Sequence, residues 1–203
     1  MSKTITGPDG KTRCHWCAAA PEFLAYHDTE WGFPVSDDRR LFEKLCLEGF
    51  QSGLSWRTIL AKRGNFRAAF HDFDFDRIAR FTQHDIERLL KDEVIVRHRG
   101  KIEAVVNNAR QARDIVKREG SLAAFIWRYE PDPKRLAEPQ TASTSAESLA
   151  LSKDLKKLGW KFVGPTTVYA FMQAMGLIND HVPDCVIRGK VARARKSFER
   201  PGA

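Results

Sequence analysis

The chain has 203 residues, 42% of them hydrophobic, with five Trp and thirteen Phe, which suffices for one globular core and is too apolar for a disordered chain. Its net charge of +8 and pI near 9.5 favour a polyanionic partner, either a nucleic acid or an anionic membrane surface. No run of eighteen apolar residues and no apolar leader is present, which argues against membrane spanning and secretion and for a cytoplasmic protein whose four cysteines are reduced thiols or metal ligands.

Residues 1–12 carry no apolar period and read as a loose tail. Ser36, Asp37 and Asp38 then supply a helix start, with Leu41, Phe42, Leu45 and Gly49 on one side at spacings of three and four. FRAAF and FDRIARF read as short helices, and HDIERLL, GKIEAVVNNARQARDIVKREG and SLAAFIWRY continue the period, the second of these ending at Gly120. The Pro-, Ser- and Thr-rich segment 131–146 is a loop. ESLALSKDLKKLG forms a helix stopping at Gly159, and TTVYAFMQAMGL another, with Pro165 tolerated in its first turn. Residues 189–203 are basic, short of large apolar groups, and read as a second tail. KFVG is the one hint of a strand and is too short to build on, so the expected fold is all-α.

Three groups of residues have chemical potential. RCHWC places Cys14 and Cys17 near His27, and NDHVPDC holds His181 and Cys185. Two thiolates and two imidazoles make a closed tetrahedral zinc set, which would close a loop of over 150 residues. Spacing alone still favours ordinary core cysteines and surface histidines, and Cys17 competes with Cys14 as ligand. A redox role for CHWC lacks the βαβ setting it needs. Glu48 falls at the edge of the buried stripe, where a carboxylate is costly unless paired. The plainer reading makes it the partner of Lys44 in a surface i,i+4 ion pair, with the aromatics at 16, 26, 31 and 56 as core. Finally, Arg97, His98, Arg99, Gly100 and Lys101 form a basic turn before a helix, able to face a phosphate or merely solvated.

In this order RCHW, AYHDTEWG, LFEKLCLEG, GLSW, VRHRGKI, STSAES, KFVGPTTVYAFMQAMGL and NDHVPDC resemble the 3-methyladenine DNA glycosylase I family, over some five-sixths of the chain from Arg13 to Cys185. The resemblance implies a helix-hairpin-helix glycosylase domain over 13–188, its core at about 36–175, beside a small zinc lobe built from 13–35 and 176–188. It implies one structural zinc on Cys14, His27, His181 and Cys185, leaving Cys17 incidental. The base pocket it implies comprises Glu48, the one carboxylate given a catalytic part, with Tyr26, Trp31, Trp56, Trp16 and Phe23. It implies DNA contacts at Gly53 and Leu54, as a wedge, and at Arg97, Arg99, Gly100 and Lys101, while Asp114 takes no catalytic part. The expected activity is monofunctional release of 3-methyladenine from alkylated double-stranded DNA by a monomer. Two other classes fit the same features, a glycosylase for another alkylated purine and an inactive DNA-binding module. The chain departs from the family at Phe23, where many members carry tyrosine, and at Val94, where the hairpin usually carries glycine.

Overall fold

The computed structural model describes residues 3–202 and is mostly helical. The expected helical architecture is joined by two short strands that the sequence did not announce. β1 (Thr4–Thr6) and β2 (Thr12–Cys14) pair antiparallel, Thr4 opposite Cys14 and Thr6 opposite Thr12, and the amide of Val186 donates to the carbonyl of Thr12 at 2.9 Å. The stretch read as an N-terminal tail is thus the start of a ribbon tied to the far end of the chain. Three residues per strand are too few for alternation to show in the sequence.

The helices are α1 (Pro21–Thr29), α2 (Asp38–Gln51), α3 (Trp56–Ala61), α4 (Arg63–Ala69), α5 (Phe75–Ile78), α6 (Gln83–Lys91), α7 (Arg99–Glu119), α8 (Leu122–Trp127), α9 (Ala146–Lys157), α10 (Pro165–Ala174) and α11 (Arg188–Ser197). α2 is the axis of the fold. Its residues from Leu41 to Phe50 are all buried, and it packs against α3, α7, α8 and α10. The Asp37 carboxylate caps it by accepting from the Arg40 amide at 2.8 Å. Asp38 reaches instead to the start of α8, accepting from the amides of Leu122 and Ala123 at 3.0 and 2.8 Å, so one carboxylate joins two helix N-termini. Beneath α2 the fully buried rings of Phe50 and Phe66 stand 4.6 Å apart, continuing through Phe70 to Phe73.

Gly49 lets another segment cross α2, because an added Cβ would stand 3.2 Å from the side chain of Phe162. That crossing is pinned from α7. The Asn108 side chain accepts from the Lys161 amide at 2.8 Å and donates to its carbonyl at 2.9 Å, while Asn107 donates to the carbonyl of Gly159 at 2.8 Å.

The expected C-terminal tail forms α11 instead. Val191 is buried, Arg195 pairs with Glu130 at 2.6 Å, and the rings of Phe198 and Trp127 lie 4.4 Å apart. One buried valine among nine basic and small neighbours gives too narrow an apolar stripe to be read from sequence.

The two halves of the chain meet where the end of α10 crosses residues 32–35. The Gly32 amide donates to Ala174 and the Val35 amide to Met175, each at 3.3 Å. Gly176 has φ +81°, and a Cβ there would fall 2.5 Å from the backbone of Phe33 and Pro34. Gly176→Ala is therefore expected to cost on the order of 3 kcal/mol, read as a lowered midpoint in urea unfolding, since both strain and overlap must be relieved.

Candidate functional site

At this junction Cys14 from β2, His27 from α1, and His181 and Cys185 from the segment before α11 bring their ligand atoms within 4.8 Å of one another, all four side chains buried. The His181 Nδ1 lies 3.2 Å from His27 Nε2 and 3.6 and 3.5 Å from the sulfurs of Cys14 and Cys185, and Cys185 Sγ lies 3.5 Å from His27 Nε2. Such a group can hold a metal ion. The outer ring nitrogens are engaged: His27 Nδ1 at 2.7 Å from Asp28, His181 Nε2 at 3.0 Å from the Trp31 carbonyl. Arg13 grips Asp28 with two nitrogens at 2.8 to 3.0 Å and binds Asp9 as well. Burial would raise the Asp28 carboxyl, but the hydrogen bonds from Arg13 and His27 outweigh it and hold its pKa below the usual range. Gly32, at φ +87°, passes the His181 ring where a Cβ would stand 3.2 Å from Nε2. Cys17 is outside the group. It is buried with Ala20 and Phe23 in a small apolar cluster, where burial pushes its thiol up to about 11, unlike a reactive cysteine.

An aromatic wall leads from this group to the expected pocket. The Trp31 ring meets that of His181 edge-on at 4.6 Å and that of Trp16 at 5.0 Å, and Trp16 in turn contacts His27, Tyr26 and Phe23. The rings of Tyr26 and Trp56 are 5.5 Å apart. All five expected aromatics are brought together, but only Tyr26 and Trp56 touch the charged centre beyond them; Trp16 and Trp31 stand behind, and Phe23 packs with Cys17 in the small apolar cluster.

That centre holds two charged groups of α2. Lys44 and Glu48 do form the i,i+4 ion pair, at 2.7 Å, yet both are buried, which corrects the surface pair expected from spacing alone. The Lys44 ammonium also donates to the Tyr26 hydroxyl at 2.9 Å and lies 3.3 Å from the centre of the Trp56 ring. Burial drives the Lys44 pKa down against the attraction of Glu48, and burial together with Glu48 drives the Tyr26 phenol up. The buried indole N–H of Trp56 finds no hydrogen-bond partner among the described residues. Glu48 lines a cavity of about 330 Å³ with Gln51 to Leu54 and with Thr166, Thr167 and Ala170 of α10.

The rim of the cavity is the turn between α2 and α3, where Gly53 takes φ +77° and Leu54 is 41% exposed. Lys101 fixes this turn. Its buried ammonium donates to the carbonyls of Phe50 and Ser52 at 2.8 and 2.5 Å, capping the C-terminus of α2. The ammonium expected to face a phosphate is thus turned inward, onto backbone carbonyls. Arg97 and Arg99 are exposed, Arg99 paired with Glu87 at 2.8 Å, and His98 caps α7 by accepting from the Lys101 amide at 3.3 Å. Val94 does not take a positive φ, and its carbonyl accepts from Lys62 at 3.0 Å.

Sequence reading missed Arg13 and Asp28, Lys44 as a pocket residue, the asparagine pair of α7, and Thr166 and Thr167. The first had a signal in the carboxylate directly after His27, and the second in the spacing of Lys44 from Glu48 within an apolar stripe.

Residues 16–188 match the family model described as methyladenine glycosylase. The chain belongs to the methyladenine glycosylase family. It is 47% identical to DNA-3-methyladenine glycosylase 1 of Escherichia coli, over 85% of this chain and 95% of that one, and 46% identical to DNA-3-methyladenine glycosylase of Haemophilus influenzae, over 86% and 96%. A solved variant of 3-methyladenine DNA glycosylase I in complex with 3-methyladenine superposes with a TM-score of 0.81 at 39% identity, covering 87% of this chain and 97% of its own. Membership makes this chain a glycosylase, and both relatives are DNA-3-methyladenine glycosylases by name. Among the described residues no helix is long and apolar enough to cross a membrane.

Beside the pocket, Arg63 pairs with Glu30 at 2.5 and 2.8 Å. Burial would raise the Glu30 carboxyl, but the Arg63 hydrogen bond and charge outweigh it and lower its pKa. A depressed carboxylate pKa gives stability that is full above the ordinary carboxylate range and lost as acidification proceeds through the folded-state value. Arg63→Met is expected to cost about 1 kcal/mol in urea unfolding near neutrality, discounted for partial exposure, and the difference from the native chain should shrink in acid.

Proposed function

We propose that this enzyme hydrolyses the N-glycosidic bond of 3-methyladenine in alkylated double-stranded DNA, releasing the free base and leaving an abasic site. One observation carries the reading: beside the cavity that Glu48 lines, a cation is already held out of water, the Lys44 ammonium, between the Glu48 carboxylate and the face of Trp56. Methylation at N3 makes the base of the nucleoside cationic, so the same carboxylate and electron-rich rings favour it over neutral adenine. Glu48 would accept hydrogen bonds from the amine edge of the purine, with Tyr26 and Trp56 on the ring. A cationic base is a good leaving group, so the chain need supply little acid help; water attacks the sugar and no lyase step follows.

To enter the pocket the nucleotide leaves the stack, which costs least for a weakly held base. Leu54, exposed on the Gly53 turn at the mouth of the cavity, is the proposed wedge. The proposed helix-hairpin-helix is α6, the turn at 92–98, and α7, with Arg97, Arg99 and the Gly100 amide toward the phosphate backbone. The first turn of α7 carries no acidic residue to oppose an anion. The enzyme is proposed to act as a monomeric, cytoplasmic, single-domain protein over 13–188.

The Cys14, His27, His181 and Cys185 group is proposed to hold one zinc ion. Tetrahedral zinc, with bonds of about 2.3 Å to sulfur and 2.05 Å to nitrogen, gives ligand edges of about 3.5 Å for S···N and 3.3 Å for N···N. The observed edges of 3.5, 3.5 and 3.6 Å, and of 3.2 Å, fit that set. Four protein ligands leave no position for water, so the ion's part is structural.

Freshly purified protein is expected to contain about one zinc per chain by elemental analysis, and Cys14→Ser to lower both that content and the melting temperature; native protein with well under one equivalent would remove the zinc assignment. For activity, chromatography of bases released from methylated duplex should identify 3-methyladenine. Glu48→Gln should reduce that release on the order of a hundred-fold while duplex affinity changes little, and undiminished release would remove Glu48 from the pocket.

A further inference from the structure

The position proposed for the damaged base is filled, in this structure, by the protein's own Lys44. Its ammonium takes the Glu48 carboxylate at 2.7 Å, the Tyr26 hydroxyl at 2.9 Å and the Trp56 face at 3.3 Å, which are the three groups the base reading assigns to a cationic purine. Glu48 is the carboxylate in contact with the ammonium, and it balances one positive charge. A second cation brought to the same groups would meet like-charge repulsion in a site with little water to screen it. We infer that Lys44 is a specificity-determining residue of this enzyme, a tethered cation that competes with the methylated base for Glu48 and Trp56 and must withdraw for the base to seat.

The inference rests on the glycosylase reading given above and deepens it. The fold allows the withdrawal. Lys44 reaches the pocket from α2 on a flexible four-carbon stem, so its ammonium can leave the Trp56 face without movement of the helix. The arrangement also has a use in the free protein. Without a partner, the buried carboxylate of Glu48 would be strongly destabilising, so Lys44 holds the pocket formed while it waits. A neutral adenine offers no charge to replace the departing ammonium, and the displacement therefore weighs against undamaged bases more than against methylated ones.

The test compares native protein with Lys44→Met, which keeps the length of the side chain and removes its charge, and Lys44→Gln, which keeps a donor for Glu48 and Tyr26 and guards against misfolding in the first variant. Both are checked for folding by thermal melting. Release of 3-methyladenine from methylated duplex is measured for KM and kcat separately, with free 3-methyladenine as competitive inhibitor. Loss of the competitor should lower both KM and the inhibition constant on the order of ten-fold with kcat within about two-fold, a split that simple loss of stability does not produce. If native protein releases 3-methyladenine while KM and the inhibition constant are unchanged or raised in both variants, the role of Lys44 is overturned and the glycosylase reading stands. If neither native protein nor the variants release it, both are overturned.

Discussion

A carboxylate buried in the apolar stripe of the central helix is the constraint around which this molecule is arranged. An isolated charge at Glu48 would cost several kcal/mol, so the ionised side chain needs a positive partner beside it. In the free protein that companion is Lys44, one turn earlier on α2, with the Trp56 face and the Tyr26 hydroxyl completing its shell. The need to keep those partners in place accounts for much of the packing around them. α3 presents Trp56, α1 presents Tyr26, and Lys101 from α7 caps the end of α2 so that the turn carrying Leu54 opens beside the acid.

The cysteine–histidine group is coupled to the same centre through rings. Its ligands come from the two ends of the chain, and the Trp31 ring lies edge-on to His181 on one side and to Trp16 on the other. Trp16 reaches Tyr26 at 6.3 Å. Closing the ends over a loop of more than 150 residues therefore does more than join termini, because it sets the position of the wall behind the pocket. The chain Arg13, Asp28, His27 extends the same logic outward, fixing a ring through its far nitrogen.

Much of this was legible in the sequence, and the remainder failed for definable reasons. α2, α6, α7, α9 and α10 announced themselves by an apolar period of three and four, and α2 also by its start at Ser36, Asp37 and Asp38. α3 spans six residues and α11 buries one valine, so neither shows a stripe wide enough to read. Spacing alone did not choose between Cys14 and Cys17, since two residues separate them and both are buried; the resemblance favoured Cys14. Lys101 looked like a phosphate contact because a basic turn on paper does not show which side chain folds inward. Lys44 was visible as a partner for Glu48, but burial, which turns a commonplace ion pair into a resident of the site, depends on residues that α1 and α3 lay over it.

The most direct measurement of the central claim is a crystal structure of the protein with 3-methyladenine bound. The purine ring should lie against Tyr26 and Trp56 with its amine edge on Glu48, and the Lys44 ammonium should have moved off the Trp56 face. A ring bound elsewhere, or bound with Lys44 still 2.7 Å from Glu48 and seated on Trp56, would contradict it.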